Sequence, residues 1–364
     1  MKPPQLPFWD QAGEFDSAAL KAYALRVIRK LVIGAAFSIL VVTAAAGGET
    51  PRSTQVAAEP QTNAPQLTAP TVVQDVGSGL FVFGARNSVS WDQANSAGGN
   101  PLVQWSELEP QPGVYDWTVL DQAIADAQAS GRKIVPRIYT NVDFFGQATP
   151  EWFFQQPGAS FYYTSQLAQS QGIKAPVPWD PVYKQQFGAF LAALGARYNG
   201  NPNIAFFQTN AGGGLYGELI MSVEGLIPPD YTPQLQVDTS GWWLNQWLAA
   251  FPNTHLSYMI NVLGYNIGEV MADYAAQLGV YLQVNTPWLS QQAVDIFRNN
   301  QNRTGIVMEV EDSSCQSATG PAFDAMIQHV FSYGFAIDYL DLCEQSFNDP
   351  GTAAKLPSVI ARLR

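Results

Sequence analysis

Residues Trp105–Trp117 read WSELEPQPGVYDW. They follow a short apolar run, Leu102-Val103. Pro110 and Pro112 cannot donate to a sheet ladder, and Gly113 tolerates a positive φ, so a strand entering this stretch ends in it. Leu120, Ile124 and Ala127 then recur at helical spacing, which starts a helix near Trp117. Strand, acidic Pro-Gly loop and helix together make one βα step.

Working outward, short apolar runs alternate with helical stretches, the pattern of a parallel α/β fold. The expected strands are Leu80–Gly84, Leu102–Trp105, Lys133–Tyr139, Asn203–Thr209, His255–Asn261, Val280–Asn285, Gly305–Glu311 and Phe335–Leu340. Helices are expected at Val119–Ala129, Val182–Tyr198, Trp242–Ala250, Val270–Leu278, Gln291–Asn299 and Ala322–Phe331, with Thr352–Leu363 closing the set. Eight such strands predict a (β/α)8 TIM barrel over residues 72–364. A doubly wound open sheet is the alternative. No Gly-rich phosphate loop supports it: Ala211-Gly212-Gly213-Gly214 lacks the G-x-G-x-x-G spacing and the P-loop lysine.

Before the barrel, Arg26, Arg29 and Lys30 precede the mostly apolar Leu31–Ala46. This run is shorter than the ~20 residues of a bilayer span. It fits the core of an export signal with Ala44-Ala45-Ala46 as the cleavage site. An uncleaved anchor, a membrane tether through residues 31–46, is the other reading of residues 1–46. Residues 47–71 are rich in Thr, Pro, Gln and Ala, have little to bury, and read as a disordered linker. Both readings place the folded part outside the cytoplasm, secreted or anchored at the cell surface.

The chain carries a formal net charge of −12 over 364 residues. Five of the 18 basic and three of the 30 acidic residues fall in residues 1–46, which leaves 13 against 27, or −14, for the rest. Such a surface repels phosphate backbones, so no nucleic acid partner is expected, whereas neutral glycans remain open. Histidine is limited to His255 and His329. One falls at a strand start and the other inside a helix, so His-based triads and zinc sites are disfavoured. No metal or cofactor is expected, and carboxylate chemistry is left.

In a barrel of this kind the chemistry sits at the C-terminal ends of the strands. Those ends are polar here. Strand 3 offers Arg137, Tyr139 and Asn141; strand 4, Gln208 and Asn210; strand 5, Asn261; strand 6, Gln283 and Asn285. Strand 7 carries Glu309 and Glu311, two apart and so on one face. Strand 8 carries Asp338, with Asp341 just beyond. The long connection after strand 3, residues 140–181, is too aromatic for a disordered loop and is expected to fold over the barrel top. Trp152 and Trp179 in it are candidate stacking platforms for sugar rings, and Trp288 after strand 6 joins the candidate substrate contacts. Glycosidic cleavage uses two carboxyl groups. The candidates are Glu218 after strand 4 and Glu309 or Glu311 on strand 7. Glu109 in the Leu-Glu-Pro turn reads as structural.

These segments carry a family resemblance. WSELEPQPGVYDW, the following LDQAIADAQASGRKIVPRI, ATPEWF (Ala148–Phe153) and FGAFLAALGARYNGNPNIAFFQTN (Phe187–Asn210) resemble clan A glycoside hydrolases, in particular the beta-galactosidase-like branch. That clan places its acid/base Glu directly after an Asn at the end of strand 4. Here Ala211 follows Asn210, and the next carboxylate is Glu218 in GLYGEL, wording similar to the acid-bearing loop of the beta-amylases. The resemblance implies Glu218 as general acid and Glu309 as its partner; the displaced Glu leaves retention or inversion open.

Cys315 follows strand 7 and Cys343 follows strand 8. Neighbouring strands place these loops side by side, so an exported protein is expected to join them in a disulfide; two free thiols are the alternative. The expected function is therefore an exported glycoside hydrolase acting on an oligo- or polysaccharide. A non-catalytic carbohydrate-binding or structural barrel at the cell surface is the rival. Oligomeric state is not legible.

Overall fold

The computed structural model describes residues 78–141, 146–209, 226–260, 267–310, 315 and 317–364. The chain divides into two units, Met1–Gln66 and Leu67–Arg364, and every described residue lies in the second. The expected export segment and linker fall outside the described residues, as do Asn210, Glu218, Asn261 and Glu311.

Among the described residues eight parallel strands, two of them interrupted, form the sheet. They are β1 (Gly79–Phe83), β2 (Gly98–Asn100 and Leu102–Gln104), β3 (Lys133–Ile134 and Arg137–Tyr139), β4 (Phe206–Thr209), β5 (His255–Met259), β6 (Tyr281–Val284), β7 (Ile306–Glu309) and β8 (Tyr339–Leu342). β2 is interrupted at Pro101 and β3 at Val135-Pro136, because proline has no N–H to give. The ladder continues across both gaps. Lys133 N donates to Ala97 O (3.0 Å), Val135 N to Gly99 O (2.9 Å) and Arg137 N to Pro101 O (3.0 Å). On the other side Ala205 N donates to Ile134 O (2.9 Å) and Gln208 N to Pro136 O (3.0 Å). β4 then pairs with β5, β5 with β6, and so on to β8, which pairs with β1, which pairs with β2. The sheet thus returns to its starting strand as an α/β barrel.

β2 needs Gly98. Its φ is +148°, and a Cβ there would lie 1.6 Å from the Lys133 carbonyl oxygen, so no other residue lets β3 approach as closely. The strand accordingly starts four residues before the expected Leu102, and Trp105 begins the helical turn Trp105–Leu108. β8 also differs from expectation, at Tyr339–Leu342 instead of Phe335–Leu340. Phe335 and Ile337 are buried with the core that packs the helices on the barrel, and burial alone does not distinguish a strand from the loop leading into it.

The larger helices are α1 (Thr118–Ser130), α2 (Pro181–Tyr198), α3 (Pro233–Ala250), α4 (Ile267–Gln277), α5 (Gln291–Asn300) and α6 (Gly320–Ser332). Cap-then-proline starts recur: Asp180 accepts from Tyr183 N before Pro181, and Thr232 accepts from Leu235 N before Pro233. Each satisfies a helix-end N–H and pre-sets the first helical φ. α1 ends at Gly131 in the left-handed region. Where α2 meets α3, a Cβ on Gly195 would sit 2.3 Å from Ala250 O, so glycine permits their close approach.

Trp105 is fully buried among Trp152, Phe153, Tyr183, Phe187 and Phe190, with ring centroids 5.1–6.1 Å away. WSELEPQPGVYDW therefore anchors the barrel to α2. Glu109, in the same stretch, accepts from Trp105 Nε1 (2.7 Å) and Gly113 N (2.8 Å). Burial raises its carboxyl above the ordinary carboxylate range, against the pull of those two bonds.

Inside the barrel a lower tier of side chains is apolar and aromatic: Phe81, Val135, Phe206, Val307 and Tyr339, with Tyr281 packed against them. Phe206 lies 5.1 Å from Tyr339 and 5.7 Å from Tyr281, ring to ring, and His255 stacks on Tyr281 at 4.9 Å.

Candidate active site

Side chains two apart on a strand share a face. The residues two positions after the lower tier are therefore the next to fill the interior, toward the strands' C-terminal ends. Val135 gives way to Arg137, Phe206 to Gln208, His255 to Ser257, Tyr281 to Gln283, Val307 to Glu309 and Tyr339 to Asp341. All six successors are polar and all six are buried. Asn100 of β2 joins them.

These groups form one hydrogen-bonded chain across the barrel. Glu309 is ion-paired with Arg137 and accepts from Gln283 Nε2 (2.9 Å). Gln283 Oε1 accepts from Ser257 Oγ (2.5 Å). Arg137 Nε donates to Gln208 Oε1 (2.6 Å), and Arg137 Nη1 to the Tyr139 hydroxyl (3.2 Å). Gln208 Nε2 donates to Asp341 Oδ2 (3.1 Å), as does Asn100 Nδ2 (2.9 Å). Asp341 Oδ1 and Asn100 Oδ1 are buried and accept no hydrogen bond among the described residues. Glu309 and Asp341 are register partners on adjacent strands.

Among the described residues the tier thus holds two carboxyl groups and one guanidinium. Desolvation is the main influence on Asp341. It pushes the carboxyl up to about 6, against the opposing pull of the Arg137 charge and the hydrogen bonds from Asn100 and Gln208.

Several expected site residues meet here. Arg137 contacts both Glu309 and Tyr139, and Asn141 is buried just past β3. Asn285 is half-buried directly after β6. Three others stand elsewhere. Asp338 precedes β8, so it lies at the end of the barrel opposite the expected one. It holds Arg364 (2.7 Å) and accepts from Ile306 N (2.7 Å), which makes it a structural group at the strands' N-terminal ends. Trp152 is turned edge-on to Trp105 at 5.6 Å, and its Nε1 donates to Glu109 O (2.9 Å). It belongs to core packing and not to an open platform. Trp288 is 59% exposed and packs on His329 at 4.4 Å.

Asn100 and Ser257 were not anticipated from the sequence. Asn100 sits in Gly98-Gly99-Asn100-Pro101, ahead of the strand expected from Leu102. Ser257 is short enough to pass for an ordinary strand residue. The alternation His255/Ser257 and Tyr339/Asp341 is the signal that finds the tier.

The long connection after β3 carries a two-stranded antiparallel pair, Phe161–Tyr162 with Ala175–Pro176. A cavity of about 480 Å³ opens beside it, lined by Phe161, Tyr163, Trp179 and residues 226–230. Trp179 Nε1 donates to Asp230 Oδ2 (2.7 Å), and its ring meets Tyr231 at 6.2 Å. Cys315 and Cys343 form a disulfide, Cα to Cα 6.0 Å, which joins the segment after β7 to the end of β8 beside Glu309 and Asp341. Among the described residues no group of three His, Cys, Asp or Glu side chains is placed to hold a metal ion.

Comparison with known proteins agrees with this architecture. A glycoside hydrolase family 42 model, described as beta-galactosidase, matches residues 101–215, which is 115 of the 364 residues. Beta-galactosidase BgaA from Thermus sp is 26% identical over 140 residues, covering 38% of this chain and 19% of that protein. The chain thus aligns with about a fifth of the length of that relative. The catalytic domain of beta-amylase from Paenibacillus polymyxa superposes with a TM-score of 0.58 at 12% identity, over 79% of this chain and 98% of that one. At that identity the likeness is one of fold. The barrel is therefore similar in architecture to glycosidase barrels, and its first half matches the beta-galactosidase family of glycoside hydrolases.

Proposed function

We propose that the protein is an exported glycoside hydrolase that cleaves O-glycosidic bonds of an oligo- or polysaccharide with two carboxyl groups. The observation that carries this reading is Glu309: a carboxylate at the C-terminal end of β7, ion-paired with Arg137 and oriented by Gln283. There it serves as nucleophile or as base toward water. Glu218 supplies the acid by resemblance to the beta-amylase-type loop, and Glu311, two residues beyond Glu309, is the alternative partner. Asn141, Asn210, Asn261 and Asn285 offer amides to sugar hydroxyls. Trp179 and the cavity beside it offer an aromatic wall with a carboxylate, Asp230, at its edge. The disulfide supports export, and residues 31–46 serve as signal or tether.

A second reading, a barrel that binds glycan without cleaving it, draws on the enclosure of Glu309 and its commitment to Arg137. Hydrolysis of a panel of aryl glycosides and polysaccharides by the wild type, Glu218→Gln, Glu309→Gln and Glu311→Gln separates the two. The hydrolase reading expects turnover of at least one substrate and its loss in Glu309→Gln. Saturable glycan binding with no turnover by any form supports the second reading.

A further inference from the structure

Glu309 and Asp341 face the same interior from adjacent parallel strands. Two like charges opposed in this way repel, and both groups are out of water. Asp341 is opposed in register by Phe81 of β1 and Glu309 of β7, receives hydrogen bonds from Asn100 of β2 and Gln208 of β4, and feels the charge of Arg137 of β3; Tyr139 of β3 and Gln283 of β6 stand one contact further off, on Arg137 and Glu309. The tier beneath adds Tyr339 and Tyr281, with His255 stacked on the latter. Among these described groups Arg137 is the permanent cation and Glu309 the other carboxyl.

Arg137 serves both acids, one directly and the other through Gln208. The Gln208 amide gives its N–H to Asp341, so its oxygen has to face Arg137 Nε. Asp341 therefore determines how the group beside the guanidinium is turned, without touching Glu309's counter-ion through a hydrogen bond of its own. Its two received hydrogen bonds both fall on Oδ2, which leaves Oδ1 as the oxygen able to carry a proton.

We propose that Asp341 is a positioning residue for Glu309: the two form a cross-strand carboxyl pair sharing Arg137 as a single counter-ion, and the proton the pair retains sits on Asp341, which leaves Glu309 as the anion. The upward displacement of the Asp341 carboxyl by burial agrees with this arrangement. Its relevance to catalysis rests on the hydrolase reading above; the shared proton does not.

Thermal unfolding midpoints of the full-length protein, measured from pH 3.5 to 8 for wild type, Asp341→Asn and Glu309→Gln, test the pair without any substrate. The advantage of wild type over Asp341→Asn is expected to fall between about pH 4 and 6.5 and to level off above. In Glu309→Gln the like charge opposite Asp341 is gone and no longer draws on Arg137, so the same step moves acidward by roughly a pH unit or more. A difference that stays flat with pH, or a step unmoved in Glu309→Gln, overturns the proposal. Should Asp341→Asn not fold, infrared spectra decide. The protonated-carboxyl band of the wild type at pH 5.5 is expected to weaken in Glu309→Gln, and an unchanged band refutes the shared proton. A protein that hydrolyses nothing can still pass both tests, so failure here and failure of the hydrolase reading are separate results.

Discussion

The barrel interior holds two tiers built from the same strands, two residues apart. In the lower one, rings of Phe81, Phe206, Tyr281 and Tyr339 pack at 5–6 Å around Val135 and Val307. In the upper one, Arg137, Gln208, Ser257, Gln283, Glu309 and Asp341 occupy equally buried positions. The lower tier is stabilised by apolar area and dispersion, which do not change with pH. The upper tier holds only while each donor and charge finds its partner. The contrast places the polar groups along the strands: the aromatic tier lies toward their N-terminal ends, and the polar chain toward the C-terminal ends, where barrels of this kind do their chemistry.

Substitutions in the two tiers can break this comparison. Arg137→Met removes the cation that pairs with Glu309 and acts on Asp341, and is expected to cost about 3–5 kcal/mol at pH 7. The loss shrinks at pH 4.5, where protonation relieves it. Phe206→Ala is expected to lose about 3–5 kcal/mol as well, but equally at both pH values. Urea titrations at the two pH values check the pair; a pH-independent loss in Arg137→Met would remove the electrostatic account of the upper tier.

The disulfide bears on the rim above that tier. Cys315 and Cys343 are 28 residues apart, and a cross-link of that span restricts the unfolded chain by about 3–4 kcal/mol. Replacing both with Ala should lower the melting midpoint accordingly. Reduction should destabilise the wild type and leave the double variant unmoved.

Asp341 sharpens the comparison further. Its carboxyl ordinarily titrates at 3.8 and is raised to about 6 in the fold. Between those values the folded state holds a proton that the unfolded chain has released, so stability falls as pH rises through this window. Stability from this source is complete below about pH 4 and gone above about pH 6, a change of about 3 kcal/mol at most. Asp341→Asn should lack that slope, which unfolding curves at pH 4 and pH 7 measure directly.

Much of the barrel was legible because its strands are short apolar runs closed by Gly, Pro or Asn, and WSELEPQPGVYDW sets one complete βα step among them. Arg137, Gln208, Gln283 and Glu309 could be read as inward polar strand ends because a period of two is visible in the chain. β8 slipped because Phe335 and Ile337 are as apolar as a strand yet pack beneath the helices. That slip promoted Asp338, a partner of Arg364 at the far end, over Asp341. Asn100 was hidden behind Gly98, which lets β3 approach closely, and Gly99, which packs against Trp91. Trp152 and Trp179 are alike as letters; the first spends its ring and N–H on the core and the second borders a cavity, a difference that only tertiary contacts create.

On the proposed function the carboxylate at the end of β7 works on a glycosidic bond. The most direct test is kcat/KM of wild type and Glu309→Gln on the best substrate of a glycoside panel, both at pH 6 and both shown folded by their melting curves. A loss of roughly 10²–10⁴-fold or more is expected on removing one catalytic carboxyl group. An active wild type whose Glu309→Gln form keeps its rate would contradict the proposed function.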